Sequence, residues 1–182
     1  MVISLTGFMG CGKSTAGRAL AEVLGAEFID LDDYIVSREG MTIPDIFATR
    51  GEPGFRNVEK ECLLTILGEH CGRQETLVLA LGGGTVTTPE CADAIYSGTT
   101  CIYMEASEKE LGSNLAGAEG RPMLENNTVS ELLKSRAPLY EKVSHYRIHV
   151  DGLDNGDVVR KLLETVNISM NNTMNISLNI SK

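Results

Sequence analysis

Short apolar runs alternate with amphipathic helical patterns along the chain from residue 2 to about residue 166. The apolar runs predict strands at residues 2–6, 27–31, 77–81, 100–104 and 147–150. The helical patterns cover residues 14–24, 32–39, 42–49, 53–69, 89–96, 128–137 and 154–166, with another helix starting near residue 107. Such regular alternation is typical of a parallel sheet that is covered on both faces. We therefore expect a three-layer α/β fold, with residues 1–166 as one domain.

The last residues, 167–182, differ in composition from the rest of the chain. They repeat the pattern Asn-x-Ser/Thr, beginning at Asn167, Asn171, Asn175 and Asn179. Each repeat is formally an N-glycosylation acceptor, but that modification occurs on secreted chains, and the sequence gives no indication of secretion. We interpret residues 167–182 as a low-complexity tail that the function does not need. Its alternating apolar residues would also allow it to pair as an edge strand.

The composition narrows the classes of protein to which the chain can belong. It has 182 residues, of which 42% are hydrophobic, and a formal net charge of −9. Because negative charge opposes binding to polyphosphate backbones, a general nucleic-acid binder is excluded. No apolar run approaches the ~20 residues that span a bilayer, so we expect no membrane association. The five cysteines are scattered without a CxxC pair, as expected for a reduced, cytoplasmic protein.

A phosphate-binding loop joins the first predicted strand to the first predicted helix. Residues Gly7–Ser14 match the pattern G-x-x-x-x-G-K-[ST] in the strand-to-helix context that this motif requires. Glycines let successive backbone N–H groups turn inward around phosphate oxygens, and the helix N-terminus adds partial positive charge. Lys13 would reach the β and γ phosphates, and the Ser14 hydroxyl would coordinate magnesium. The sequence therefore predicts a nucleoside-triphosphate site; the alternative is a glycine-rich turn beside a surface lysine.

The small size of the chain and its lack of an Asn-Lys-x-Asp segment favour a small-metabolite kinase over a guanine-nucleotide switch. In such sheets, ligands bind outside the carboxyl ends of the strands. Asp30 and Asp32 follow the second predicted strand, and their spacing predicts that both carboxylates point into the crevice. One would hold magnesium through water while the other accepts the proton of the attacking hydroxyl. The alternative is that Asp32 or Asp33 caps the next helix.

Two glycine-containing segments are further candidates for ligand contact. Gly82, Gly83 and Gly84 follow the third strand and would leave a floor of bare backbone for a flat ligand, unless they form only a tight turn. Residues 112–125 contain glycines followed by Arg121, which is typical of a flexible lid. An arginine that closes over ATP can neutralise charge on the transferring phosphoryl group.

Two arginines are candidates for binding an anionic acceptor. Arg56 lies three residues before Glu59, so the two can pair on one helix face and hold a guanidinium in place for a carboxylate. Arg136 lies four residues after Leu132 and three after Leu133, which places the base of its side chain on the core-facing side of the helix. Both arginines could equally be solvated surface residues with a salt bridge.

Together these segments resemble the shikimate kinase family. The matching motifs, in the order in which the family has them, are G-x-x-G-x-G-K-S-T at residues 7–15, Asp30-Leu31-Asp32, Gly51-Glu52 with Phe55-Arg56 and Glu59, Leu81–Gly84, Arg121-Pro122 and Arg136-Ala137-Pro138-Leu139-Tyr140. The resemblance implies a nucleoside-monophosphate-kinase type of P-loop fold, with five parallel strands flanked by helices, a substrate-binding region and a flexible lid. It also implies ATP-dependent phosphorylation of the 3-hydroxyl of shikimate, a step towards chorismate and the aromatic amino acids.

The resemblance further implies a role for each matching residue. The ATP site would comprise Gly10, Cys11, Gly12, Lys13, Ser14, Thr15 and Arg121. Shikimate would contact Asp32, Arg56, Gly82, Gly83, Gly84 and Arg136. The catalytic residues would be Asp32, as base or orienter of the hydroxyl, with Lys13 and Arg121 stabilising the transferring phosphoryl group. Mg²⁺ would be held by Ser14 and, through water, by Asp30.

Two alternatives remain open at the level of the sequence. A gluconate-type or other small hydroxy-acid kinase would use the same fold with a different acceptor. A nucleotide-binding regulatory protein would bind ATP without acceptor-dependent release of ADP, although such a protein has no need for an acceptor-side base such as Asp32. The expected partners are ATP and shikimate, without nucleic acid or membrane, and we expect a monomer.

Overall fold

The computed structural model of the chain describes residues 1–116 and 128–180, with the side chains of residues 170 and 172–180 left aside. Its centre is a sheet of five strands, which are β1 Val2–Thr6, β2 Glu27–Asp30, β3 Leu77–Ala80, β4 Thr100–Glu105 and β5 Tyr146–His149. Their order is β2-β3-β1-β4-β5, and each neighbouring pair is parallel. The predicted five-stranded parallel sheet is therefore confirmed.

Burial follows the position of each strand in the sheet. Every residue of β1 and β3 is buried, whereas the edge strands β2 and β5 are partly exposed. Continuous apolar runs of this kind are typical of central parallel strands, because helices cover both faces of the sheet. The carboxyl ends of the parallel strands meet along one edge of the sheet, where β1 continues into the phosphate-binding loop and β3 into the glycine segment.

Seven helices surround the sheet in the described part of the chain. They are α1 Lys13–Leu24, α2 Leu31–Glu39, α3 Ile43–His70, α4 Pro89–Gly98, α5 Glu108–Leu115, α6 Val129–Val143 and α7 Asn155–Ile180. A short 3₁₀ turn, Thr85–Thr87, follows the glycine segment after β3. None of the described helices is both long and apolar enough to cross a membrane.

Helix α3 joins the two helices that were predicted at residues 42–49 and 53–69. A sharp break separates its halves at Gly51, where φ is 68° and ψ is 178°. Only glycine adopts such a backbone conformation readily, so the two predicted segments are correct but lie in one interrupted helix. Because Pro53 lacks a backbone N–H, it suits the first turn of the second half, which then carries Arg56 towards the sheet edge.

The last two helices extend beyond their predicted ends. Helix α6 begins at the predicted capping box of Thr128 and Glu131, passes Pro138 and ends at Val143 rather than near residue 137, since buried Tyr140 and Val143 continue its apolar face. Helix α7 continues to Ile180, so residues 167–180 form no edge strand. No glycine or proline interrupts residues 157–180, and Ser169 is buried with its Oγ atom 3.5 Å from Thr100 Oγ1.

Candidate active site

The loop between β1 and α1 has the backbone geometry that phosphate binding requires. Gly7, Gly10 and Gly12 have φ values of 142°, 85° and 90°. A Cβ atom on Gly7 would lie 2.5 Å from the carbonyl oxygen of Met104, so no larger residue fits there. The predicted strand–loop–helix context of this motif is confirmed.

Lys13 is held against the inner side of this loop. Its Nζ atom donates hydrogen bonds to the carbonyl oxygens of Gly7, at 2.8 Å, and Phe8, at 3.0 Å. The side chain is only 8% exposed, and the sulfur of Cys11 lies 3.8 Å from the ammonium group. Backbone contacts therefore place a buried positive charge beside the loop before any phosphate is bound.

Ser14 and Asp30 connect the loop to the end of β2. Ser14 Oγ donates to Asp30 Oδ2 at 2.5 Å, while Asp30 Oδ1 accepts from the backbone N–H groups of Asp32, at 2.9 Å, and Asp33, at 3.4 Å. Asp30 is therefore the N-cap of α2, and the alternative in which Asp32 or Asp33 caps this helix is wrong. The strand ends at Asp30 rather than at residue 31, so Asp30 and Asp32 share the crevice through the turn into α2 and not through strand alternation.

The oxygen atoms of Ser14 and Asp30 fit Mg²⁺, which prefers hard oxygen ligands. Within residues 1–116 and 128–171, no group of three or more His, Cys, Asp or Glu side chains could hold a metal ion. A kinase Mg²⁺ ion usually keeps several waters and binds one or two protein groups together with substrate phosphates. The hydroxyl–carboxylate pair therefore has the composition expected of such a partial site.

Asp32 lies in the first turn of α2, half-buried at the wall of the crevice. The pKa of its carboxyl group is raised from 3.8 to about 6, mainly by burial and also by the negative charges of Asp30 and Glu59, against the lowering effect of Lys13 and Arg56. A carboxylate with a pKa near 6 is a stronger proton acceptor than an exposed aspartate and is still mostly ionised at pH 7. Asp32 has the properties of a general base.

In the segment after β3, glycine is required because neighbouring side chains come too close for a Cβ atom. A Cβ atom on Gly82 would lie 2.8 Å from Glu59 Oε1 and 3.0 Å from Asp32 Oδ1. On Gly84 a Cβ atom would overlap the guanidinium of Arg56. Gly82, Gly83 and Gly84 therefore form a tight turn whose bare backbone charged side chains approach closely. We call these three residues the glycine floor.

Arg56 projects from the second half of α3 onto this floor. Its Nη1 atom lies 2.6 Å from Glu59 Oε2, and its Nη2 atom lies 3.3 Å from Glu52 Oε1. Burial alone would lower the pKa of Arg56, but the Glu59 and Glu52 carboxylates outweigh it and raise that pKa above its ordinary value. The predicted contact between Arg56 and Glu59 is confirmed, and the guanidinium remains charged.

Arg136 reaches the same floor from α6. It is only 3% exposed, and its Nη1 atom donates to the carbonyl oxygen of Gly83 at 3.3 Å. Tyr140, one turn further along α6, donates its hydroxyl to the same oxygen, and burial raises the pKa of this phenol. The core-facing placement of Arg136 was predicted; the contact of Tyr140 was not, although its i+4 spacing from Arg136 was the available signal.

Two cavities adjoin the phosphate-binding loop. The first measures about 320 Å³ and is lined by residues that include Lys13, Ser14, Asp30, Asp32 and Gly83. It joins the loop to the predicted acceptor side. Neither arginine is among its lining residues, but Arg136 contacts Gly83, which lines it, and Arg56 lies against the adjacent Gly84.

The second cavity measures about 260 Å³, and its lining includes Cys11, Thr15, Asn114, Leu153 and Asn155. Among the described residues around it there is no arginine or lysine. Asn114 Nδ2 donates to the carbonyl oxygen of Gly10 at 3.0 Å, which ties α5 to the loop.

Arg121 lies in the stretch 117–127, outside the described residues, as does most of the predicted lid. Its proposed contact with the phosphates stays a prediction. All the other predicted site residues lie around the two cavities and the glycine floor.

The site combines a phosphate-binding loop and a buried lysine with a half-buried carboxylate and two guanidinium groups. This combination is that of a P-loop phosphotransferase for a small anionic acceptor. A family model described as shikimate kinase matches residues 9–167. A shikimate kinase of Thermus thermophilus is 40% identical over 167 residues, which are 89% of this chain and 88% of the relative. The chain belongs to the shikimate kinase family, whose members are phosphotransferases that act on an alcohol group.

Solved structures agree with this membership. The shikimate kinase from Acinetobacter baumannii in complex with shikimate superimposes with a TM-score of 0.85 and 34% identity, covering 92% of this chain and 93% of that one. A gluconokinase from Sinorhizobium meliloti superimposes with a TM-score of 0.62 and 20% identity, covering 97% of both chains. At 20% identity, the similarity to the gluconokinase shows only that the two proteins share a fold.

Proposed function

We propose that the chain transfers the γ-phosphoryl group of ATP to the 3-hydroxyl of shikimate, giving shikimate 3-phosphate and ADP. The observation that carries this proposal is the convergence of Arg56 and Arg136 on the glycine floor beside Asp32. Shikimate is a small cyclohexene ring with one carboxylate and several hydroxyls. Such a molecule needs an anion clamp, a smooth backbone surface and a proton acceptor on one side of the phosphate site.

The two arginines are proposed to bind the carboxylate of the acceptor. Planar guanidinium groups match carboxylate geometry and remain charged at all relevant pH values. Both are already immobilised, Arg56 by Glu59 and Arg136 by the Gly83 carbonyl, so little side-chain entropy is lost when a ligand binds. Gly82, Gly83 and Gly84 would lie beneath the ring.

Asp32 is proposed to orient the 3-hydroxyl and to accept its proton as the oxygen attacks the γ-phosphorus. Its pKa of about 6 suits this role near neutral pH. Phosphoryl transfer needs mainly positioning and charge neutralisation, so the proton acceptor and the phosphate groups must face the same cavity. Asp32, Lys13 and Ser14 all line the cavity of about 320 Å³.

The loop residues Gly10–Thr15 are proposed to hold the phosphates of ATP, with Lys13 stabilising the charge that develops during transfer. Arg121 is proposed to add a second positive charge there. Ser14, and Asp30 through water, would hold Mg²⁺, which when bound neutralises the β and γ phosphate oxygens. The adenine base is proposed to occupy the second cavity, next to Asn114, Leu153 and Asn155.

We propose that residues 1–166 form the catalytic domain and residues 167–182 a tail that catalysis does not need. All five cysteines are free thiols, which supports a reducing, cytoplasmic location. The net charge of −9 supports the absence of a nucleic-acid partner. A monomer is proposed, and sedimentation equilibrium would test it.

The direct experiment is to measure ADP release from Mg-ATP by the purified chain with shikimate, with gluconate and without an acceptor. The proposal expects release that depends on shikimate, with the product identified as shikimate 3-phosphate. Faster turnover with gluconate would transfer the assignment to another hydroxy-acid kinase, and ATP binding without acceptor-dependent release would favour a regulatory protein. Arg56→Gln should raise KM for shikimate, whereas Arg147→Gln, at a half-exposed arginine of β5, serves as the matched control.

A further inference from the structure

A buried hydroxyl group lies beneath the glycine floor and has no role in the function described so far. Thr85 is the first residue of the 3₁₀ turn and is 0% exposed. Its Oγ1 atom lies 2.7 Å from Glu59 Oε1 and 3.0 Å from the carbonyl oxygen of Gly82. A threonine hydroxyl has one proton to donate, and the carboxylate is the stronger acceptor. Thr85 therefore donates to Glu59.

This hydrogen bond completes the environment of a buried carboxylate. Glu59 is only 1% exposed, and its Oε2 atom pairs with Arg56 Nη1 at 2.6 Å. The other oxygen, Oε1, receives the Thr85 hydroxyl. Because a carboxylate is planar, fixing both oxygens fixes the orientation of the group and so the direction of the guanidinium that it binds. Without the hydroxyl, Oε1 would lose its direct donor at a buried position.

The glycine floor connects the same hydroxyl to the acceptor side. A Cβ atom on Gly82 would lie 3.0 Å from Thr85 Oγ1, 2.8 Å from Glu59 Oε1 and 3.0 Å from Asp32 Oδ1. These three oxygens thus lie together at the position that a side chain on Gly82 would occupy. A rotation of the Glu59 carboxylate would move negative charge relative to Asp32 and would also release Arg56 from its place against Gly84.

We propose that Thr85 is a positioning residue of the acceptor site, whose hydroxyl locks Glu59 and thereby holds the Arg56 guanidinium ready for the carboxylate of the acceptor. The inference rests on the proposed function, in which Arg56 binds that carboxylate. It adds a residue that does not touch the substrate and acts through two others. Its effect belongs to acceptor binding and not to the nucleotide, since the Thr85 hydroxyl contacts Glu59 and Gly82 on the acceptor side.

The test uses steady-state kinetics of the full chain, with shikimate varied at saturating Mg-ATP and Mg-ATP varied at saturating shikimate. Thr85→Val keeps the shape of the side chain and removes the hydroxyl. We expect it to raise KM for shikimate roughly tenfold or more, the factor associated with losing a hydrogen bond to a charged group. KM for ATP should stay within about twofold. Thr85→Ser restores the hydroxyl and should return KM for shikimate close to that of the unmodified chain.

Thr87→Val is the matched control. Thr87 lies in the same 3₁₀ turn, and its hydroxyl donates to the carbonyl oxygen of Gly84 at 2.7 Å without contacting Glu59. An equal rise of KM for shikimate in Thr87→Val would show that any loosening of the turn has this effect, and it would overturn the inference. So would a Thr85→Val variant with unchanged KM for shikimate, or one in which KM for ATP rises equally.

Two further variants keep the outcome interpretable. If Thr85→Val does not fold, Thr85→Ala removes the hydroxyl without placing a methyl group against the carboxylate, and the same expectations apply to it. Arg56→Gln, measured alongside, separates the two levels of the proposal. If Arg56→Gln leaves KM for shikimate unchanged, the proposed acceptor site is wrong. If Arg56→Gln raises that KM and the Thr85 variants do not, the acceptor site stands and the role of Thr85 is refuted.

Discussion

Ser14 Oγ donates a hydrogen bond to Asp30 Oδ2 at 2.5 Å, which ties the residue after the loop lysine to the last residue of β2. The other oxygen of the same carboxylate caps α2 through the backbone N–H of Asp32 at 2.9 Å. One side chain therefore holds the proposed metal-binding hydroxyl and, at the same time, sets the start of the helix that carries the proposed base.

Replacing Asp30 with asparagine should separate these two roles. Asparagine caps helices about as well as aspartate, so we expect the melting temperature of Asp30→Asn to change by less than about 2 °C. The variant loses the negative charge beside Ser14, and the Mg²⁺ concentration for half-maximal activity should rise roughly tenfold or more, as for other groups that orient a metal ligand. Magnesium titrations of activity at fixed ATP measure this shift.

Asp33→Asn is the control for that experiment, because Asp33 is an exposed residue of the same helical turn. Its magnesium dependence should match that of the unmodified chain. A similar shift in both variants would mean that general surface charge, and not the Ser14–Asp30 pair, governs the metal requirement.

The pH dependence of activity should report on Asp32. Burial, together with the charges of Asp30 and Glu59, raises the pKa of this carboxyl group to about 6 in the free enzyme. Only the ionised form can accept a proton, so kcat/KM for shikimate should rise with pH up to about 6 and level off above it. Initial rates from pH 4.5 to 8 measure this limb, and a profile whose acid limb lies near pH 4 would contradict the raised pKa.

Asp32→Asn provides the companion measurement. The variant should lose most of its turnover, and its residual activity should lack the limb near pH 6. If the limb persists in Asp32→Asn, another group produces it and the assignment of Asp32 as the base fails.

The features of this site that could be predicted from the sequence are those encoded by neighbouring residues. The loop from Gly7 to Ser14 is recognisable because its glycines, lysine and serine stand at fixed spacings between a strand and a helix. The capping box at Thr128 and Glu131 and the pairing of Arg56 with Glu59 are local in the same way. The alternation of apolar runs and helical patterns was likewise sufficient for the five-stranded parallel sheet.

The contacts that could not be predicted join residues far apart in the chain. Thr85 meets Glu59 across 26 positions, and Tyr140 meets Gly83 across 57. Periodicity shows which face of a helix is buried, but it does not show which backbone carbonyl a buried hydroxyl will reach. The role of Asp30 as the cap of α2 was missed for a smaller reason, because the strand ends one residue earlier than its apolar pattern suggested.

Lys13→Met should leave the fold intact and remove the positive charge at the phosphate-binding loop. Methionine has a similar unbranched shape and fits a site that is 8% exposed. We expect kcat to fall by at least ~100-fold, as when other preorganised donors to a transition state are removed. Lys142→Met, at an exposed lysine of α6, is the matched control. Turnover within tenfold of the unmodified chain would refute the role of Lys13.

Tyr140→Phe should weaken acceptor binding more than it weakens the fold. The phenol and Arg136 both donate to the carbonyl oxygen of Gly83, so this oxygen keeps one donor in the variant. The loss should loosen the glycine floor and raise KM for shikimate by about three- to tenfold, in line with one uncharged hydrogen bond. Tyr146→Phe, on β5, should leave this KM unchanged. An effect on KM for ATP alone would contradict the placement of Tyr140 at the acceptor side.

Shortening the tail should affect stability before it affects catalysis. Ser169 lies beyond the proposed domain end at residue 166, yet it is buried and its Oγ atom lies 3.5 Å from Thr100 Oγ1 at the start of β4. A chain ending at residue 171 keeps this contact and should match the full chain in kcat and melting temperature. A chain ending at residue 166 loses it and should melt a few degrees lower, about 2–4 °C for each kcal/mol lost. Its kcat should be unchanged below the melting transition, because no described side chain of the tail lies among the residues of the proposed site. A loss of turnover on truncation at residue 171 would show instead that catalysis depends on the tail.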